Sequence, residues 1–149
     1  MYKEKLSDNL YGVDIFSCKN NYLNEIEHGA VIHVICHHIT DENIIKEFVD
    51  SLIKSKCKVF HLFGQQHSLW KGILNSQIDS EVVVIDYFSE LEEFEMDLVT
   101  HLIEKSELQQ CNINIDEHHR MDYVIYDDIV FFWGIKDDIK KYKELEDVK

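Results

Sequence analysis

Three short apolar segments, each followed by a segment with helical spacing, constrain the fold of this 149-residue chain more than any other feature. They lie at 31–36, 58–63 and 81–86, and their length and β-branched side chains are typical of buried strands. The intervening connections are too long for hairpins, so the strands should be parallel, with helices packed on the sheet. The pattern predicts an α/β fold, a Rossmann-like or flavodoxin-like three-layer sandwich with a mainly parallel sheet.

The helices of these units have recognisable start signals. Thr40 is a predicted N-cap for the first helix, which has the clearest amphipathic spacing in the chain (Ile44, Ile45, Phe48, Val49, Leu52 and Ile53). A shorter helix should begin at His67 or Ser68 and end near Asn75. Residues 89–92 fit a capping box, which predicts a long acidic helix reaching about Lys105.

The two ends of the chain follow different patterns. Residues 123–126 and 129–133 flank Asp127 and Asp128, so we predict an antiparallel C-terminal hairpin with these aspartates at its tip. Alternation over 11–15 predicts a half-exposed strand at the sheet edge, while 136–149 fits either a terminal helix or a frayed tail. Without proline and with five glycines, residues 1–149 should form a single α/β domain.

Cellular location and cofactors follow from motifs that the sequence lacks. There is no secretory leader pattern and no apolar run of membrane-spanning length, and the four cysteines are widely spaced. We therefore expect a cytoplasmic protein with reduced thiols and no membrane contact. Neither a glycine-rich dinucleotide loop nor a P-loop is present, so no cofactor is expected.

Polar side chains follow the three predicted strands, where open parallel sheets bind ligands. His37 and His38 follow the first strand, His67 the second, and Asp86 ends the third. These four residues are the candidates for a metal or acid–base site, since imidazole and carboxylate groups suit both roles. The competing interpretation is chance placement, because some of nine histidines will fall in loops, and no H-x-x-x-H or H-E-x-x-H spacing places two of them on one helical face.

Three further residues near these strands have a chemical and a structural interpretation. His33 and His61 fall inside the first two predicted strands, and parallel pairing would set them side by side. A buried pair can have perturbed protonation, but core histidines are more often neutral and hydrogen-bonded. Cys36 adjoins two histidines, which favours a reactive thiol, yet its apolar neighbours favour a core position.

Nearly all the negative charge lies in one third of the chain. Residues 79–128 contain 15 acidic side chains and two basic ones, and so carry 13 of the 14 net negative charges. Such a surface attracts partners of opposite sign and disfavours direct nucleic-acid binding. Acidic side chains and aromatic anchors together are typical of a protein interface. The predicted partner-binding residues are Tyr87, Glu90, Glu93, Asp97, Tyr126, Asp127 and Asp128.

In size and charge the whole chain is similar to the immunity proteins of bacterial toxin systems, which bind and block basic nuclease toxins. The similarity is one of class and transfers no functional residue. It implies an acidic protein-binding module that neutralises a basic protein, such as a nuclease toxin. Two other functions stay open: a small metal- or ligand-dependent enzyme or sensor, and a subunit of a larger complex, with self-association also open.

Overall fold

The computed structural model describes residues 2–18, 26–77, 82–87, 90–96, 98 and 121–147. Within these ranges the chain forms six strands and four α-helices around one sheet. The strands are β1 (Tyr2–Ser7), β2 (Leu10–Asp14), β3 (Val31–Ile35), β4 (Val59–Phe63), β5 (Val83–Asp86) and β6 (Asp122–Tyr126). The helices are α1 (Glu42–Lys54), α2 (His67–Asn75), α3 (91–96 and residue 98) and α4 (Ile129–Asp147), and a 3-10 turn, Ile15–Ser17, follows β2.

The sheet has the order β1-β2-β6-β3-β4-β5. All neighbouring strands from β2 to β5 pair in parallel, whereas β1 runs antiparallel to β2. The predicted α/β class with a mainly parallel sheet is confirmed. The chain passes from β3 to β4 and β5 on one side, then returns to place β6 on the other side of β3. Because strand order reverses in this way, β3 and β6 are neighbours and their carboxyl ends lie side by side.

Apolar side chains cover both faces of the central strands, whereas β5, which was predicted to be buried, lies at the sheet edge and leaves Val83 and Ile85 exposed. In β3 every residue is buried, with Ile32 and Val34 in one apolar cluster and Ile35 in the other. The first cluster includes side chains of α1 and α2, and the second includes those of α3 and α4. Strand residues alternate between faces, so a strand buried on both sides is apolar almost throughout. Across the described residues, no helix combines the length and apolar character needed to cross a membrane.

The predicted C-terminal hairpin is wrong, because residues 129–133 begin helix α4 instead of forming a strand. Only Phe132 of these five is fully buried, and it continues with Ile135 and Ile139 at helical spacing on the side facing the core. The β-branched and aromatic residues favoured a strand, but the helical burial pattern and the cap at Asp128 override that local preference. Antiparallel pairing occurs instead at the other end, between β1 and β2.

Smaller differences concern strand position and helix starts. β2 coincides with the predicted N-terminal strand, but lies between β1 and β6 rather than at the sheet edge. Helix α1 is capped by Asp41, whose carboxylate accepts the Asn43 N–H at 2.9 Å, and not by Thr40. The predicted start of α2 at His67 is confirmed. Ser89 of the capping box, Asp97 and the extension of α3 to Lys105 lie outside the described residues.

Gly12 lets α4 approach the sheet closely. A Cβ atom at this position of β2 would lie 2.3 Å from Cζ of Phe132, well inside van der Waals contact. Phe132 also stacks on Tyr126 of β6, with ring centroids 4.1 Å apart. The first turns of α4 are therefore seated directly on β2 and β6.

We expect Gly12→Ala to lower the free energy of unfolding by about 1–3 kcal/mol, because the Phe132 ring must move to admit the methyl group. Gly134→Ala is the matched control, since nothing lies within 4 Å of a Cβ at that position of α4. That change should be neutral or stabilise the helix by about 0.5–1 kcal/mol. Urea unfolding followed by circular dichroism measures both variants. Wild-type stability of Gly12→Ala would contradict this close packing.

Candidate functional site at the carboxyl edge of the sheet

The carboxyl ends of β2 to β6 lie along one edge of the sheet, because these five strands are parallel. We call this side, with the residues that directly follow each strand, the carboxyl edge. Ligands of open α/β sheets bind there, in the crevice where strand order reverses. Here that point lies between β3, which leads to α1 on one face, and β6, which leads to α4 on the other.

The carboxylate of Asp127 occupies this crevice. Its Oδ1 accepts the backbone N–H of His37 at 2.8 Å, and its Oδ2 accepts those of His38 and Ile39 at 2.9 and 3.0 Å. The Asp127 N–H donates to the Ile35 carbonyl at 3.2 Å, and the whole residue is 6% exposed. One buried side chain thus supplies acceptors for the loop that follows β3. The position used by small ligands in such folds holds a protein carboxylate.

Asp128 has a different role, as the N-terminal cap of α4. Its Oδ1 accepts a hydrogen bond from the Phe131 N–H at 3.1 Å, and its Oδ2 accepts one from Nε2 of His38 at 3.0 Å. The hydrogen bond from Phe131, followed by the one from His38, lowers the pKa of the Asp128 carboxyl below its usual value. Asp128 therefore stays ionised at neutral pH, where its charge also favours the N-terminus of the helix.

The four candidate metal or acid–base residues do not meet at one place, and the hydrogen-bonded pair among them is His67 with Asp86. His67 Nδ1 lies 2.9 Å from Oδ2 of Asp86, and Lys71 Nζ lies 4.0 Å from the same oxygen. His38 instead pairs with Asp128, and His37 packs its ring on Phe131 with centroids 4.7 Å apart. Among the residues that the structure describes, no group of three or more histidine, cysteine or acidic side chains can hold a metal.

Cys36 lies in the core at the end of β3. Its thiol donates to the Phe63 carbonyl at 3.3 Å, and its backbone carbonyl accepts the Gln66 N–H at 2.9 Å. Burial, and after it the negative charges of Asp127 and Asp86, raises the pKa of this thiol far above its usual value. A thiol that stays protonated is a poor nucleophile, so the structural interpretation of Cys36 is the better one.

Gly64 holds the loops after β3 and β4 together. Its φ angle of +135° belongs to a region that residues with side chains rarely adopt, and an added Cβ would lie 2.3 Å from the Cys36 carbonyl oxygen. The Gln66 N–H then reaches that same carbonyl. Close contact between the loops leaves the carboxyl edge closed at this point as well.

Beneath the edge lies a row of buried polar rings. His33 and His61 are register partners, as predicted, and their rings stack with centroids 4.6 Å apart. His33 Nε2 donates to Asp122 at 2.9 Å, and His61 Nδ1 is hydrogen-bonded to the Tyr87 hydroxyl at 3.0 Å. All four residues are buried, so these rings meet no solvent-borne ligand and serve the core.

The predicted partner-binding residues divide into buried and exposed groups. Tyr87 and Tyr126 are buried, the first against His61 and the second against Phe132. Glu90 and Glu93 are exposed at the start of α3, and Asp97 lies outside the described residues. The sheet nevertheless places the described ones at one edge, because all follow or end β5 and β6.

Glu95 differs from its acidic neighbours in α3. Burial, followed by a hydrogen bond to Asp138 of α4 and the charges of Asp138 and Glu92, raises the pKa of Glu95 to about 7. Its carboxyl group is therefore protonated in part of the population at neutral pH. Glu95 contributes to the contact between the two helices, whereas Glu90, Glu92 and Glu93 are exposed.

A set of exposed apolar side chains at the same edge was missed by the sequence reasoning. Phe16, Ile129, Val130 and Trp133 are 66, 42, 68 and 52% exposed. The last three belong to the first two turns of α4, which were predicted to be a strand. Helical spacing of Phe132, Ile135 and Ile139 behind an aspartate cap is the signal that could have found them. Comparison of the chain with protein-family models, curated proteins and solved structures finds no match.

We expect Asp127→Asn to lower the free energy of unfolding by about 1–3 kcal/mol, because an amide has one oxygen and must leave at least one loop N–H without an acceptor. The control is Asp137→Asn, an exposed position in α4. Urea unfolding measures stability, and amide hydrogen exchange at His37, His38 and Ile39 measures the loop itself. Unchanged stability together with unchanged exchange would show that the carboxylate does not hold this loop.

Proposed function

We propose that this protein is an acidic protein-binding module, most concretely an immunity-type inhibitor that neutralises a basic partner such as a nuclease toxin. The observation that carries the proposal is the Asp127 carboxylate in the crevice between β3 and β6. A small ligand at this point would have to displace three charge-assisted hydrogen bonds. The surface around the filled crevice is then the part of the carboxyl edge available for recognition.

The charge of the chain supports a basic partner. A net charge of −14 produces a field that steers oppositely charged proteins toward the surface and repels nucleic acid. Exposed Glu90 and Glu93 place part of that charge at the carboxyl edge. An inhibitor of this kind covers the cationic cleft in which the nuclease binds nucleic acid. Because such a nuclease acts inside the cell, the two proteins would bind each other in the cytoplasm.

Within this proposal the predicted interface residues take different parts. Glu90 and Glu93 face the partner directly, with Asp97 as a further candidate, whereas Asp127, Tyr87 and Tyr126 shape the edge from beneath. Asp128 does both, since it caps α4 and keeps part of its side chain exposed. The finer fold assignment, a Rossmann-like or flavodoxin-like sandwich, is proposed on the same grounds: a parallel sheet with a reversal of strand order at β3 and β6.

The proposal is tested by capturing the tagged protein from its native host at low salt and eluting with rising salt. A stoichiometric basic protein that elutes only at high salt is the expected result, because charge attraction weakens as ions screen it. Mass spectrometry identifies that protein, and nuclease assays then measure its inhibition. Recovery of the tagged protein alone would count against a binding role.

Charge reversal at the carboxyl edge should slow association with the captured basic protein. We expect the Glu90→Lys, Glu93→Lys double variant to bind severalfold more slowly at low salt and to lose much of the salt dependence of the rate. Stopped-flow kinetics over a salt series measures both effects.

The matched control is the double variant Asp8→Lys, Glu144→Lys. It makes the same change in net charge, in the β1–β2 turn and near the end of α4, both away from the carboxyl edge. Equal slowing by the two double variants would mean that net charge alone acts, and that α3 is no part of the interface.

A second candidate function rests on the His67–Asp86 pair. A carboxylate 2.9 Å from Nδ1 orients an imidazole for acid–base work, and Asp86 ends a parallel strand where ligands bind. A ligand-dependent enzyme or sensor predicts that some divalent cation, nucleotide or sugar phosphate raises the melting temperature of wild type but not of His67→Ala. His28→Ala, at an exposed histidine elsewhere, is the control. If a thermal-shift screen finds no such compound, this second function is excluded and the protein-binding role is the one that stands.

A further inference from the structure

Four of the seven large apolar side chains that are exposed in the described residues lie at the carboxyl edge, on its β2–β6 side. They are Phe16, Ile129, Val130 and Trp133, which we call the α4 patch. Phe16 follows β2 and the others follow β6, so neighbouring strands deliver them to the same edge. Exposed apolar side chains scattered singly need no explanation, whereas a group of them at one place marks an interaction site.

The α4 patch is not needed to hold the helix on the sheet. Phe132, Ile135 and Ile139 form the buried side of α4, and they already pack with β2 and β6. Val130 and Trp133 are three residues apart and so share the outer side of the helix. Trp133 is half exposed and lies outside the buried apolar cluster, yet tryptophan is among the residues that dominate binding energy at protein interfaces.

The patch is held rigidly before any partner arrives. Asp128 caps the helix directly before Ile129, and Phe132 is seated between Tyr126 and the space left by Gly12. Because the backbone of these turns is fixed, docking of Trp133 orders its own side chain without the added cost of ordering a loop. A rigid aromatic group on a helix is the kind of anchor that fills a pocket on a partner.

The charges near the patch are chiefly negative. Asp128 precedes it, and Asp137 is exposed one turn beyond Trp133. The nearest lysine in α4, Lys136, is neutralised by Glu4 at 2.7 Å, while Lys140 and Lys141 lie further along the helix. A second copy of a chain with net charge −14 is repelled, so the complementary surface is an apolar pocket with a basic rim.

We infer that the α4 patch, with Val130 and Trp133 at its centre, is the apolar anchor by which this protein binds its basic protein partner. The inference rests on the proposed function and adds to it the residues that set the lifetime of the complex. Acidic side chains such as Glu90 and Glu93 act before contact, whereas buried apolar anchors act after it.

The test uses the basic protein that is captured by salt elution, once purified, as the probe. Wild type contains two tryptophans, one of them buried, so Trp70→Phe leaves Trp133 as the only tryptophan of the chain, and its emission is followed by selective excitation of tryptophan. On addition of the probe we expect its emission to move to shorter wavelength and its quenching by acrylamide to fall severalfold. In the wild-type background, Trp133→Ala should weaken binding about thirtyfold or more, mainly through faster dissociation.

Val130→Ser and Val83→Ser form a matched pair, because both valines are exposed but Val83 lies at the amino end of β5. Only the first should weaken binding. If the probe binds while Trp133 emission and the affinity of Trp133→Ala stay unchanged, the inference is overturned and the proposed function stands. If wild type self-associates on sedimentation and Trp133→Ala does not, the occupant is a second copy, which also overturns it. If no basic protein is captured, both proposals fail.

Discussion

The Asp127 carboxylate is the interaction on which the carboxyl edge depends. β3 and β6 lie side by side although nearly 90 residues separate them in the chain, and their connections leave on opposite faces of the sheet. The loop after β3 would otherwise turn through a partly buried region with unpaired N–H groups, which cost free energy where water cannot reach them. One carboxylate satisfies three of them, and the next residue, Asp128, caps α4. Two consecutive aspartates thus fix the crevice, the loop beside it and the direction of the last helix.

The same two aspartates show what local sequence could predict and what it could not. The three strand-and-helix units were readable because their apolar periodicity is a property of the segments themselves. Residues 129–133 were not, since β-branched and aromatic side chains favour a strand, and the pair Asp127–Asp128 suits a hairpin turn as well as a loop acceptor and a helix cap. Tertiary packing of Phe132 against Gly12 of β2 decided between these alternatives, and that contact depends on strand order, which local sequence patterns do not reveal.

The candidate site divides along the same line. The parallel sheet predicted that polar side chains at the ends of neighbouring strands lie close together, and His67 and Asp86 do contact each other. The pairing of His33 with His61 was predictable too, because adjacent parallel strands set it. Asp122 as the partner of His33 was not, because only the position of β6 beside β3 brings it there. Composition identified the surface charge, but a side chain's burial is decided by packing.

Charge and apolar surface do different work in the proposed complex, and neither suffices alone. Long-range attraction accelerates encounter, but exposed ion pairs are screened by salt and contribute little to affinity once the partners have docked. An apolar anchor acts only at contact, yet there it governs dissociation. Trp133 and Val130 lie on the first turns of a helix that two aspartates and a glycine contact hold in place. At the end of β6, Asp127 fills the crevice and Asp128 caps the helix that carries the apolar anchor. The filled crevice and the orientation of the exposed α4 patch therefore have the same structural cause.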